Sequence, residues 1–384
     1  MTRQTLRNQV LQALGAPEPE RAELLAYNEN RFDHSGWDRF SERRAPDEPF
    51  VAAWENYVQE ARTKGAFDTL KSHLVQLSFP IRKGISQTDF YRAAIRKGIS
   101  PLKMPEATGL ELRYPERIRF HIYETLAGRI PILVTGHRDD FVSLLQALTF
   151  KNEPEEIPSA TGAMMVSGYN NWDRIHALGA AWKSAHPHDT DGFGWRLAFH
   201  DIIGQKALYQ DKFIILSDGP YSNMAAKDLG LAEDPWKEIS LTIRLEHECT
   251  HFVTKTLIGS MQNRLLDEII ADYMGMVAAI GRFRSDWFLR FLGLEDFPRF
   301  RAGGRLENYR GDPPLSDHAF QILQKLARQA ALNLEDFDGQ YRDRPRKTDD
   351  KKTLLSALTR LTIEEMASNH GVEILMEHVN RSNV

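Results

Sequence analysis

Cysteine is nearly missing from this chain. The one thiol, Cys249, excludes an intramolecular disulfide and fits a reducing compartment. Long apolar runs are missing too. No stretch approaches the ~18 apolar residues of a membrane-spanning helix. The opening residues, "MTRQTLRNQVLQALGAPEPE", hold no apolar core of the length a secretory signal needs. A soluble, cytoplasmic protein with no membrane partner is therefore expected. An excess of one charge is also absent: a net charge of −4 over 384 residues gives no reason to expect nucleic acid. Internal repetition is limited to "RKGIS" at 82–86 and 96–100, and two copies do not make a repeat architecture. What remains is an ordinary globular balance, 42% hydrophobic and 27% charged, which excludes global disorder. The length exceeds one comfortable hydrophobic core, so one large domain or two to three units are expected.

Residues 1–110 read as mainly helical, because "PERAELLAYNE", "EPFVAAWENYVQEARTKG" and "AFDTLKSHLVQL" repeat apolar residues at three- and four-residue spacings. Within this region, 82–103 carries six basic residues (Arg82, Lys83, Arg92, Arg96, Lys97, Lys103) against one acid, Asp89. A solvated face is the expected reading, ahead of a phosphate or nucleic-acid patch. The pattern then changes. "RIRFHIY", "IPILVTG" (130–136), "GAMMVSG" (162–168) and "KFIILSDG" (212–219) read as four strands of a mixed sheet with helices between them.

Two long helices are expected over 234–283, the first capped by Asp234 with Pro235 at its first position and stopped by Gly259. The core region spans 111–283. The C-terminal region, 284–384, reads as mainly helical: a helix over 315–333, a charged exposed loop over 334–352, and a last helix starting at the capping box Thr362–Glu365.

The first long helix contains His247-Glu248-Cys249-Thr250-His251. The alternation of Ile239, Leu241, Ile243 and Leu245 gives the same segment a strand period. Geometry separates the two readings. Four residues rise about 6 Å in a helix but span about 13 Å in a strand. Nitrogens that each lie about 2.0–2.1 Å from one zinc ion cannot be that far apart. Shared metal binding therefore requires the helix. On it, His247 and His251 face one ion and Glu248 is placed to act as general base on a water. Glu268 lies 17 positions after His251, on the next helix, as a third ligand. Asp272, one turn further, can accept a hydrogen bond from a ligand histidine and fix its tautomer. The stripe Glu268, Ala271, Asp272, Gly275, Ala279 is otherwise small, which lets the two helices approach.

"HECTH" followed by "DEIIAD" resembles the gluzincin zinc metallopeptidases. The resemblance covers about residues 210–280. It implies one Zn2+ held by His247, His251 and Glu268, with Glu248 activating water and Asp272 behind a ligand histidine. It also implies a zincin-like α+β fold in which an edge strand comes before the active-site helix, and a peptide or protein substrate. Thr254 and Leu257 stand where the metzincin glycine and third histidine would be, and no Gly-x-Met-Glu-Asn stretch is present. Outside 210–280 nothing follows that family, which fits a bacterial family of its own over the whole chain. The expected function is a zinc-dependent peptidase. The alternative is a zinc-binding structural or interaction module without activity.

Tyr309, His318 and Arg305 are possible sources of an oxyanion donor, each with a structural or surface role as the preferred reading. "FIILSDG" is either an ordinary strand or an edge for an added peptide strand. His186, His188, Asp189 and Asp191 read as an exposed turn rather than a second metal site, and Cys249 as a small buried residue.

Overall fold

In the computed structural model, residues 2–40, 45–190, 192–262, 264–343 and 350–382 are described. Contacts divide the chain into two compact units. One combines Met1–Arg43 with Pro220–Val384, and the other is Arg44–Gly219. The regions 1–110, 111–283 and 284–384, drawn from the periodicity of apolar residues, are a different division: the first helices group with the C-terminal half, and the later N-terminal helices group with the sheet.

The chain begins with helices α1 (Arg3–Ala13) and α2 (Glu18–Tyr27), which belong to the discontinuous unit. The continuous unit then runs α3 (Phe50–Lys64), α4 (Ala66–His73), α5 (Asp89–Lys97), β1 (Arg119–Thr125), β2 (Gly128–Thr135), α6 (Arg138–Leu148), β3 (Ala163–Asn170), α7 (Trp172–Ala185), α8 (Phe193–Ile203) and β4 (Gln210–Ser217). All four strands read from sequence are present. They form a mixed sheet in the order β1-β2-β4-β3, with β2 and β4 parallel and the outer pairs antiparallel. The β1–β2 turn needs a left-handed residue, which Gly128 supplies at φ 96°.

One face of the sheet buries Phe120, Leu133, Phe213 and Ile215 with Trp54 and Tyr57 of α3 and Phe141 of α6. The ring centroids of Trp54 and Phe213 are 5.2 Å apart.

The strand before the helix that carries His247 and His251 is not an edge. β4 is hydrogen-bonded to β2 on one side and β3 on the other. That corrects the expected edge strand and removes strand addition of a peptide to "FIILSDG". Phe213, Ile214, Ile215 and Leu216 are all fully buried, as a strand inside a sheet covered on both faces requires.

The discontinuous unit continues with α9 (Glu233–Leu257), α10 (Leu265–Ile280), α11 (Ser285–Leu292), α12 (Asp317–Arg342), α13 (Asp350–Thr359), α14 (Ile363–Ala367) and α15 (Gly371–Ser382). α9 is a helix throughout, including the alternating stretch 239–245. It starts slightly earlier than expected: Ala232 is the cap, and Glu233 and Asp234 sit in the first turn, where carboxylates meet the positive helix end. Gly259, at φ 67°, follows its end.

Two C-terminal expectations change. The stretch 334–352 is not all loop, because α12 continues to Arg342, carried by the buried residues Leu334, Phe337, Asp338 and Tyr341. Residues 344–349 lie outside the described set. The Thr362–Glu365 capping box forms, but the helix it starts, α14, ends after five residues, and α15 is the last helix. Among the described residues, no helix is long and apolar enough to cross a membrane.

Candidate metal centre

The i, i+4 spacing on α9 places His247 and His251 on its inner side, where both are buried. α10 runs alongside and contributes Glu268 from its first turn and Asp272 one turn later, both buried. The approach of the two helices depends on small residues: a Cβ on Gly275 would lie 2.8 Å from the carbonyl oxygen of Ile243.

Three donor groups converge. His247 Nε2 and His251 Nε2 are 3.0 Å apart. Glu268 Oε2 is 3.4 Å from His247 Nε2, and Oε1 is 3.6 Å from His251 Nε2. Among the described residues this is the one buried group of three such side chains that could hold a metal ion.

The far side of His247 is fixed. Its Nδ1 donates to Asp272 Oδ1 at 2.8 Å, which leaves the Nε2 lone pair facing His251 and Glu268. Tyr221 also donates to Asp272 Oδ1, at 2.5 Å, and its hydroxyl is 2.9 Å from His247 Nδ1. Arg305 donates to the Tyr221 hydroxyl at 2.8 Å, to Ser222 Oγ at 3.0 Å and to Asp272 Oδ2. On the other side, Tyr309 donates to Glu268 Oε2 at 2.8 Å. Tyr27, the last residue of α2, donates to the Tyr309 carbonyl at 2.5 Å and accepts from Leu265 N at 3.3 Å. The start of α10 and the segment carrying Arg305 and Tyr309 are thus tied to one phenol.

Tyr221 reaches the site from a strained segment. Ser222 and Asn223, directly after it, have φ of 51° and 56°, a region that side-chain-bearing residues seldom occupy.

The charges follow from burial and these partners. Burial alone raises the Asp272 carboxyl, but Arg305, His247 and Tyr221 outweigh it and bring its pKa down to about 2. Burial lowers His251, and neighbouring His247 lowers it further, to about 4. His247 goes the other way: its burial is overcome by the hydrogen bond and charge of Asp272 and by the carboxylates of Glu268 and Glu248, so it is raised. Glu248 is half-buried. No described residue hydrogen-bonds its carboxylate, and desolvation, opposed mainly by His247, raises its pKa.

The structure thus brings His247, His251 and Glu268 together, sets Asp272 against His247 and leaves Glu248 next to His247 on α9. Sequence reasoning did not find Tyr221, and for Arg305 and Tyr309 it preferred a structural or surface role over an oxyanion donor. Here Arg305 braces Asp272 and Tyr309 braces Glu268. His318 is exposed, pairs with Glu20 at 3.1 Å and takes no part. Cys249 is buried, and burial raises its thiol well above the usual value. Around 186–189 the turn is exposed: His186 stacks on Trp182 at 4.1 Å, and Asp189 accepts from the amides of Gly194 and Trp195. Asp191 lies outside the described residues.

A family model described as "Family of unknown function (DUF7005)" matches residues 9–370, which takes in both units. The chain belongs to this family. No curated protein and no solved structure matches it. In this DUF7005 chain, then, the reading of the site rests on its own chemistry.

The contact at Gly275 gives a first test. Gly275→Val would push a branched side chain into the Ile243 carbonyl and force α9 and α10 apart. Overpacking of this kind costs typically about 1–3 kcal/mol. Urea unfolding should register that loss together with weaker metal binding. Unchanged stability would mean that the close approach is not needed.

Proposed function

We propose that this protein is a zinc-dependent hydrolase acting on peptide bonds, with zincin-like active-site helices. The observation that carries the proposal is the convergence of His247 Nε2, His251 Nε2 and a Glu268 oxygen, with Glu248 next to His247 on α9. Donors about 2.0–2.1 Å from a tetrahedral zinc ion stand about 3.3 Å apart. The separations of 3.0, 3.4 and 3.6 Å lie around that value. Two imidazoles and one carboxylate are also a donor set that zinc uses in catalytic sites, where a fourth position stays open.

When bound, zinc supplies Lewis acidity that acidifies a water and polarises a carbonyl. The protein's own residues do the rest. Glu248, with a carboxylate no described neighbour holds, accepts a proton from the water and passes it to the leaving amine. Asp272 holds His247 in the Nδ1–H tautomer. Arg305 and Tyr221 hold Asp272, and Tyr309 holds Glu268.

The resemblance to gluzincins supports the reading over residues 247–272 only. The alternative, a metal-binding module without hydrolysis, draws on the near-complete burial of all three ligands, at 4–6% exposure.

Metal analysis of the purified protein tests the site. One zinc per chain is expected, lost in His247→Ala. The pH dependence is specific. His251, with its pKa near 4, is already neutral at pH 6, whereas His247 is raised and holds a proton there. Zinc must displace that proton. Affinity should therefore fall as pH drops from 7 to 5. Calorimetry in buffers of different ionisation heat should count about one proton released per ion near pH 6. Two protons, or a pH-independent affinity, would contradict these protonation states. Bound zinc without cleavage of a broad peptide library would favour the module over the enzyme.

A further inference from the structure

The basic stretch 82–103 takes a definite form within the continuous unit. α5 turns Tyr91 and Ala94 inward and ends on Gly98 in the left-handed conformation, φ 64°. This end is clamped. A Cβ on Gly98 would lie 2.1 Å from the Trp172 ring, Trp172 Nε1 donates to the Ile95 carbonyl at 2.7 Å, and His176 Nε2 is 3.1 Å from the Gly98 carbonyl. The turn that follows is held on α7, and it presents apolar side chains outward. Leu102 is 92% exposed and Ile99 51%, with Phe90 of α5 at 45%. Lys83, Arg96, Lys97 and Lys103 are exposed in the same stretch, whose one acid is Asp89. A single exposed leucine needs no explanation. Three exposed apolar side chains within 13 residues, with exposed Arg96 and Lys97 between them and exposed Lys103 directly after, do.

We infer that this turn docks on an anionic lipid surface. The pattern is that of peripheral membrane attachment: apolar side chains enter the boundary between headgroups and acyl chains, and the lysines and arginines stay at headgroup level. Leu102 is almost fully exposed, and a fluid surface accepts such a side chain without a preformed pocket. Single-stranded nucleic acid would match the charge but gains its binding from stacking on aromatic rings. Here the most exposed side chains, Leu102 and Ile99, are aliphatic. The expectation of no membrane partner rested on the lack of a spanning segment, and docking of this kind needs none.

Co-sedimentation of the full chain with vesicles tests the inference. Binding to phosphatidylcholine vesicles carrying about 30 mol % phosphatidylserine should exceed binding to phosphatidylcholine alone by at least about tenfold, and should weaken as salt rises above about 0.1 M. Leu102→Asp should lower binding about tenfold with thermal unfolding unchanged, because Leu102 contributes almost nothing to the core. Lys97→Glu and Lys103→Glu should each lower it by about fivefold or more. Equal binding to both vesicle types would overturn the inference. So would wild-type binding by Leu102→Asp, or preferential capture of a single-stranded RNA over the anionic vesicles.

Discussion

Glu248→Gln is expected to reduce peptide hydrolysis by about 10²–10⁴-fold, the usual share of a positioned acid–base group, while zinc stays bound at one ion per chain. The substitution keeps the shape of the side chain and removes its ability to accept a proton. Glu248 lies next to His247 but is not among the three converging donors, so metal content should not change. Its carboxylate makes no hydrogen bond to a described residue, so little structural penalty should accompany the change. The raised pKa of Glu248, driven by desolvation, brings the carboxylate closer to the pH at which a base must both take and return a proton. The acid limb of the rate profile in the wild type should therefore lie above the ordinary glutamate range. Full activity in Glu248→Gln would sink the mechanism. Loss of zinc in that variant would instead mean that Glu248 acts in holding the ion.

Much of this site could be read before any coordinates because its central spacing is local. His247 and His251 are one helical turn apart, and Glu268 and Asp272 are one turn apart on the next helix, so each pair is fixed by helix geometry alone. The bracing residues carry no such signal. Tyr221 reaches His247 across 26 residues, Arg305 reaches Asp272 across 33 and Tyr309 reaches Glu268 across 41. No short period marks contacts that only the fold creates. The strained pair Ser222–Asn223 beside Tyr221 also leaves no trace, since neither residue is a glycine.

The strands show the same division. Their existence follows from apolar periodicity, whereas their order depends on pairing across long separations. Even so, the unbroken run Phe213–Leu216 was a usable sign that β4 is internal, since an edge strand covered on one face would alternate. In α12 the charges from 341 onward suggested a loop. The stripe Leu334, Phe337, Tyr341 kept the helix going, because burial of one face outweighs weak local preferences.

Asp272→Ala should have the largest effect on stability, a loss of about 3–5 kcal/mol, because it leaves a buried charge without its partner. Asp272 is fully buried and accepts from His247 Nδ1, the Tyr221 hydroxyl and Arg305. Removing it strands three donors at once, one of them a guanidinium that stays charged in place. Zinc affinity should fall about 10–100-fold as well, because the ring of His247 is no longer held. The two losses have different causes and can be separated. In Asp272→Ala/Arg305→Leu the stranded charge is gone, so most of the stability should return, whereas the affinity should not, since nothing has replaced the acceptor for Nδ1–H.

The pH dependence provides a second check. The folded pKa of Asp272, about 2, lies below the ordinary value of 3.8, so its contribution is present above about pH 4 and lost as pH falls toward 2. The deficit of Asp272→Ala relative to wild type, measured by urea unfolding, should accordingly shrink in that window. A deficit under about 1 kcal/mol at pH 7, with zinc affinity unchanged, would show that Asp272 neither anchors Arg305 nor orients His247. The site would then have to be held by the converging donors alone.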